Sequence, residues 1–452
     1  MLGAIYMALK ESIKLYKLSP AQILVAGYFT VILTGTILLS LPMATTAAGS
    51  LGFIDSLFTS TSATCVTGLI VVNTSSAFTV FGQVVIMLLI QIGGLGIMSM
   101  STLMAFLIGK KISLKERLVI QQDLNQFGIS GLVRLIQYVL GFTLIIEGAG
   151  AIFMFTKLIH EYKIVKAIYY SIFHAVSAFN NAGFDLFGNS LVGFTGSIIM
   201  NFAVMILIIL GGIGFGVLTE STNDKRFGKS SLQSKIVVIM TLILLVVGFL
   251  VLLALEFNNP ETMGKLPFGE KILSAMFLSV TPRTAGFNTL PTNALRSSSL
   301  FFIIILMFIG ASPGSTGGGI KTTTFGIMVI TMWNKIIGKK DIEIYNRRID
   351  EEDVLKAMAI TLLAMALIVL ITIVLTITES KPFLDILFET VSAFGTVGLS
   401  TGVTPTLSKI GRILIIMTMF AGRVGPLTLA VAFAERQRKG IYHYPKEKIM
   451  VG

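Results

Sequence analysis

Four stretches of this chain run from an aromatic residue, through small and hydroxylated residues, to a turn that closes on glycine followed by Phe or Leu. The first spans Phe58 to Gly68-Leu69, the second Phe173 to Gly183-Phe184, the third Phe277 to Gly286-Phe287 and the fourth Phe388 to Gly398-Leu399. The glycines stand 115, 103 and 112 residues apart. That period is too long for a stacked solenoid and fits a duplicated helical unit. A second glycine keeps step with the first: Gly96, Gly214, Gly317 and Gly425 follow the four turn glycines by 28, 31, 31 and 27 residues. A chain with this repeat is expected to fold as four similar units whose turns converge on one axis.

What surrounds the turns says where such a fold lives. Hydrophobic residues make up 54% of the chain and charged residues 13%, against about 25% charged in a soluble domain. Several apolar runs reach the roughly 20 residues that cross a bilayer. The expected class is an all-α polytopic membrane protein: four pseudo-symmetric repeats of helix, re-entrant pore helix and helix around one central pore. Crossings are expected at about 20–42, 79–108, 136–157, 195–221, 236–256, 299–333, 357–378 and 407–434, eight in all. Between them lie apolar segments at about 53–64, 166–180, 269–281 and 382–394, too short to span and therefore read as re-entrant half-helices. The organisation is a cytoplasmic N-terminal segment (1–19), pore repeat one (20–109), a cytoplasmic linker with repeat two (110–222), repeat three (223–334), a linker with repeat four (335–435) and a cytoplasmic tail (436–452).

Charge gives the orientation. The N-terminal segment, the three inter-unit loops and the tail hold 23 of the 35 Lys and Arg residues. Basic excess marks the cytoplasmic side, which sets the turns toward the outside and both termini inside a plasma membrane. The net charge of +12 is accounted for by these loops, so nucleic acid is not expected as a partner. No secretory signal pattern precedes the first crossing. One cysteine, Cys65, and three scattered histidines provide neither a disulfide nor a metal cluster, and no nucleophile constellation points to an enzyme.

The turns carry the chemistry. A cation in a bilayer needs oxygen ligands in place of water, and rings of backbone carbonyls supply them. Glycine lets the backbone take the conformations that aim carbonyls at one axis. Irregular backbone at membrane depth survives only where it lines a cavity or is buried in protein. The candidate filter is Val66, Thr67 and Gly68; Asn181, Ala182 and Gly183; Thr284, Ala285 and Gly286; Thr396, Val397 and Gly398. Its potassium ligands are expected to be the carbonyls of Val66, Thr67, Asn181, Ala182, Thr284, Ala285, Thr396 and Val397. The competing reading is four ordinary packing turns.

Two further features lie in the second crossings. Residues 310–320 include Gly310, Pro313, Gly314, Gly317, Gly318 and Gly319, followed by Lys321, a composition that breaks a helix. An unwound segment there is expected to act as a gate that moves aside; the alternative is a packing kink. Shortening 313–319 is expected to raise flux with ion preference unchanged. A resemblance to a nucleotide-binding Gly-x4-Gly-Lys-Thr motif fails, because Ile320 intervenes before Lys321. Arg423 falls where the first two units carry Gly94 and Gly212, and an intramembrane arginine usually faces a watery interior. It is expected to be a cation barrier in the pore; the alternative is neutralisation by a local acid or by helix-end carbonyls. Glu147 lies within a crossing, without an evident partner.

The four turns, the glycine-interrupted crossing and the Gly-Arg-Val-Gly segment at 422–425 together resemble the Trk/Ktr/HKT superfamily of potassium transporters, over nearly the whole chain. The lack of crossings before the first unit resembles the bacterial Ktr branch. The resemblance implies a homodimer with one pore per subunit, potassium as the transported ion and sodium as a coupling ion. It also implies a cytosolic nucleotide-binding regulatory ring (KtrA-like) on the cytoplasmic face. It carries over Gly68, Gly183, Gly286 and Gly398 as filter, 310–320 as gate and Arg423 as barrier. Some sodium-selective plant relatives have serine at the first filter position, where this chain has Gly68. The alternative within the superfamily is a sodium-permeable or poorly selective cation translocator.

Overall fold

The computed structural model describes residues 19–46, 51–96, 118, 132–223, 230–339, 341–433 and 447. The first unit contributes α1 (Pro20–Leu39), α2 (Phe53–Thr64) and α3 (Val80–Leu95), and the second α4 (Leu132–Leu158), α5 (Ile164–Phe179), α6 (Ile198–Ile213) and α7 (Phe215–Asn223). The third contributes α8 (Leu232–Glu256), α9 (Phe268–Val280), α10 (Ser297–Phe308) and α11 (Thr322–Ile336). After a hairpin of β1 (Glu343–Ile344) and β2 (Arg347–Arg348) come α12 (Glu351–Thr378), α13 (Phe383–Gly395), α14 (Lys409–Val424) and α15 (Pro426–Phe433). The linker before the fourth unit, read from its charges as a basic loop, thus folds partly into a tight hairpin turned at Tyr345 and Asn346, both with positive φ.

Among the described residues, four helices, α1, α4, α8 and α12, are each long and apolar enough to cross a bilayer. At 1.5 Å per residue their 20 to 28 residues cover the roughly 30 Å hydrocarbon core. Their outward faces are bare hydrocarbon, as with Leu144, Ile145 and Ile152 on α4 or Leu362 and Ile377 on α12. This is a membrane protein. The short helices α2, α5, α9 and α13, of 12 to 16 residues, are clasped between the long ones. The aromatic residue that opens each sequence motif, Phe58, Phe173, Phe277 and Phe388, is fully buried.

Two of the expected crossings are not continuous. The segments 195–221 and 407–434 each bend sharply, by 97° between α6 and α7 and by 94° between α14 and α15. The cause is a single residue in each: Gly214 and Gly425 take φ of 99° and 93° and end the helix. Gly96 does the same after α3 with φ of 87°, and the rest of the expected 79–108 crossing lies outside the described residues. Helices α3, α6 and α14 begin on the hydroxyl caps Thr79, Ser197 and Ser408. Counted from the caps, Gly96, Gly214 and Gly425 share one position, and the third unit has Pro313 there rather than Gly317. Gly317, matched to them by its spacing from Gly286, is therefore not their counterpart. An irregular loop interrupts the third unit, so equal spacing along the chain does not mean equal position. The residue that does keep register is Gly310, matching Gly93, Gly211 and Gly422.

Contacts between units run in one direction. Helix α3 packs on α5, α6 on α9, α10 on α13, and α14 back on α2. The circuit closes, and the turns that follow α2, α5, α9 and α13 meet inside it.

Candidate functional site

Each turn is closed by its own short helix. The amides of Thr67, Ala182 and Val397 donate to the carbonyls of Ser62, Ser177 and Ser392 at 2.8 Å, and Ala285 donates to Thr281 at 3.1 Å. Hydroxyls of the same residues fasten the exit: Ser62 accepts from the Gly68 amide at 3.0 Å, and Ser177 and Thr281 donate to the carbonyls of Phe184 and Phe287. Every turn then takes the same path. The residue two before the glycine is left-handed, with φ of 57° at Val66, 57° at Asn181, 64° at Thr284 and 51° at Thr396. The glycine follows with φ of 90° at Gly68, 67° at Gly183, 73° at Gly286 and 88° at Gly398.

The four glycines form a closed ring. A β-carbon added to Gly68 would lie 2.5 Å from the Ala182 carbonyl oxygen and 3.0 Å from the Gly183 Cα. One on Gly183 would lie 2.9 Å from the Ala285 oxygen and 3.1 Å from Gly286 Cα. One on Gly286 would meet the Val397 oxygen at 2.5 Å and Gly398 Cα at 3.2 Å. One on Gly398 would collide with the Thr67 oxygen and reach Gly68 Cα at 3.0 Å. Glycine is needed twice over at these positions, for its positive φ and for the absence of any room beside the next carbonyl.

The loop between α10 and α11 lies against this ring. Its ends are pinned together by the Gly310 amide on the Ile320 carbonyl at 2.8 Å. Its amides cap the last carbonyls of the broken helices: Ser312 on Gly212 at 3.0 Å, Thr316 on Gly211 at 3.2 Å and Gly319 on Gly422 at 3.3 Å. Helix ends carry unpaired carbonyls that need such donors. Gly314 has φ of 63° and accepts from Phe215 N at 2.9 Å, while the Pro313 carbonyl sits beside Gly214. Gly317 abuts the Thr284 hydroxyl, the Gly318 amide donates to Thr396 Oγ1 at 3.0 Å, and Lys321 Nζ donates to the Gly317 carbonyl at 2.7 Å.

Arg423 reaches under the same loop. Its guanidinium donates to the carbonyls of Thr316 and Gly93, to Gly94 at 3.4 Å and to Tyr28 Oη at 3.3 Å. It makes no ion pair among the described residues. A positive charge against the carbonyl end of α3 is favourable, so helix-end carbonyls do hold this arginine. It also lines a cavity of about 620 Å³ together with Tyr28, Phe215, Gly314 and Lys321, so it faces open space as well. Glu147 does have a partner: Asn180 Nδ2 donates to it at 2.9 Å and to Gln91 Oε1 at 3.0 Å.

Three residues around the ring escaped the sequence reading. Glu389 is buried and accepts from Ser400 Oγ at 2.5 Å, from the Thr401 amide at 3.0 Å and from Thr404 Oγ1. His174 Nε2 accepts from the Leu186 amide at 3.1 Å, and its ring stacks on Phe187 at 4.0 Å. Both brace the chain leaving a turn, and each directly follows the opening aromatic of its motif, a shared position that would have flagged them. Arg283, in the third turn itself, is buried with its guanidinium on Thr241 Oγ1 at 3.2 Å.

Comparison with known proteins agrees with this architecture. The family model described as "TrkH: Cation transport protein" matches residues 3–442. The chain is 43% identical to Ktr system potassium uptake protein B of Bacillus subtilis, over 97% of this chain and 98% of that protein. It is 41% identical to the potassium/sodium uptake protein NtpJ of Enterococcus hirae, over 96% and 98%. The crystal structure of the potassium transporter TrkH from Vibrio parahaemolyticus superposes with a TM-score of 0.70, covering 90% of this chain and 84% of that one at 18% identity, a likeness of fold. The chain belongs to the TrkH family of cation transport proteins, within its Trk/Ktr potassium-uptake relatives.

Proposed function

We propose that this protein is the membrane subunit of a potassium-uptake system, in which four pseudo-symmetric units with eight crossings surround one pore. The observation that carries the reading is the closed circuit of glycine turns, in which each glycine borders the carbonyl that precedes the next. Val66 to Gly68, Asn181 to Gly183, Thr284 to Gly286 and Thr396 to Gly398 act as the filter, and their carbonyls replace the water of a dehydrated potassium ion. The loop 310–320 with Lys321 is the gate. Its support is the set of single hydrogen bonds that hold it under the ring, each separately breakable. Arg423 raises the energy of a cation in the cavity beneath and so limits occupancy there.

The charge distribution supports a plasma-membrane orientation with both termini cytoplasmic. A homodimer and a cytosolic nucleotide-binding ring on the basic face complete the assembly; the "Ktr system" wording of a relative supports a multi-subunit system. Pull-down of the solubilised chain with such a subunit tests that part, and no retention counts against it. A second reading, passage of sodium as well as potassium, is favoured by the potassium/sodium name of the Enterococcus relative. Rubidium uptake in a host without its own potassium uptake separates the two. Potassium selectivity predicts that uptake resists excess sodium and loses that resistance in Gly286→Ser, where a β-carbon would sit 2.5 Å from the Val397 oxygen. Equal competition by sodium and potassium in the native protein would sink the first reading.

A further inference from the structure

The residues two before the filter glycines are the least comfortable in the ring. Left-handed backbone is rare for residues other than glycine, and for β-branched ones it is a marked outlier. Such conformations persist where neighbours over-determine them. Three of the four neighbours are supplied by the loop. The Gly318 amide donates to Thr396 Oγ1 at 3.0 Å, and a β-carbon on Gly318 would approach that oxygen to 2.5 Å. The backbone of Gly317 packs directly on Thr284 Oγ1. Thr316 Oγ1 donates to the Phe179 carbonyl at 3.3 Å and lies 3.5 Å from Asn181 Oδ1, whose amide in turn reaches the Arg283 carbonyl at 3.0 Å. Only Val66 is held otherwise, packed in an apolar cluster with Phe173 and Phe184.

We propose that the loop is also a structural part of the filter: through Thr396, Thr284 and Asn181 it fixes the shape of turns two to four, so that ion discrimination depends on where the loop stands. Thr396 is then a specificity-determining positioning residue that acts through Gly318. The inference rests on the filter-and-gate reading and adds a consequence to it. Moving or shortening the loop changes ion preference as well as flux, contrary to the expectation drawn from sequence. The physical cause is that a blocking plug and a supporting wedge are here the same backbone.

The test is rubidium uptake competed by potassium and by sodium, with uptake scaled to the amount of folded protein in the membrane. Thr396→Val keeps the β-branched shape and removes the acceptor. It is expected to lower potassium-over-sodium preference by roughly three- to ten-fold, the scale of one lost buried hydrogen bond. Thr396→Ser, which keeps a hydroxyl, is expected to restore the native preference. Gly318→Ala approaches the same contact from the loop and leaves the filter residues unchanged; it is expected to shift preference in the same direction, and it serves if the valine variant does not assemble. Deleting 315–317 is expected to shift preference by itself and to abolish any further effect of Thr396→Val. Native preference in both Thr396→Val and Gly318→Ala overturns the proposal. So does an effect of Thr396→Val that is equally large with and without the deletion. Gly398→Ala run alongside tells the two levels apart: if it leaves ion preference unchanged, the filter reading itself fails, whatever Thr396 does.

Discussion

Replacing Gly398 by alanine makes two separate demands on the backbone, and a second glycine in the same segment isolates one of them. Gly398 has φ of 88° and Gly402 has φ of 94°, so alanine at either must enter left-handed space. That costs roughly 1–2 kcal/mol. At Gly402 a β-carbon meets nothing within 4 Å. At Gly398 it collides with the Thr67 carbonyl and lies 3.0 and 3.1 Å from the Cα and C of Gly68, all backbone of the neighbouring turn. Relief there requires the ring to open, and overpacking of this kind adds about 1–3 kcal/mol. If about 2 kcal/mol of that falls on the ion-occupied ring, affinity drops roughly 30-fold. Rubidium uptake competed by potassium and sodium is the assay. Gly398→Ala is expected to raise half-saturation by at least about ten-fold and to weaken discrimination against sodium. Gly402→Ala is expected to retain native affinity and preference. Equal behaviour of the two variants would refute the ring argument, because the left-handed penalty they share would then explain everything.

Three other outcomes are expected. Arg423→Ala removes the positive charge from the cavity and the donor to Thr316, Gly93 and Gly94. Unidirectional flux should rise, and Arg423→Lys should stay close to native; a folded but silent alanine variant contradicts the barrier role. Glu389→Ala strips the acceptor from Ser400, Thr401 and Thr404. Its thermal stability in detergent should fall by about 2–4 kcal/mol, with Glu389→Gln in between, and no change contradicts its bracing role. Deleting 315–317 should speed maximal uptake, and an unchanged rate counts against a gate.

The glycines of the turns were legible because their requirement is local: a tight turn at membrane depth leaves few residue types, and four copies expose the pattern. The break at 310–320 was legible for the same reason, since proline and clustered glycine oppose helix whatever lies nearby. The left-handed residues Val66, Thr284 and Thr396 were not. Propensity argues against them, and contacts from residues distant in the chain hold them there, the loop at Thr284 and Thr396 and an apolar cluster at Val66. The bends at Gly214 and Gly425 look like ordinary helical glycines in an apolar run. What sets them apart is that loop amides wait to cap the freed carbonyls of Gly211, Gly212 and Gly422. Counting glycines misled at Gly317, because the count does not see that the third unit unwinds. Glu389 and His174 were hidden by chemistry that is mundane in sequence, a single carboxylate and a single imidazole; their partners lie 11 to 15 residues and 12 residues further along.

On the proposed function, cations pass through the ring bounded by Gly68, Gly183, Gly286 and Gly398. A crystal of the protein soaked in thallium or rubidium, measured for anomalous scattering, tests it without any variant. A peak is expected on the axis among the carbonyls of Thr67, Ala182, Ala285 and Val397, weakened by excess potassium in the soak and retained against the same excess of sodium. Anomalous density absent from the ring, or found only elsewhere in the protein, would contradict it.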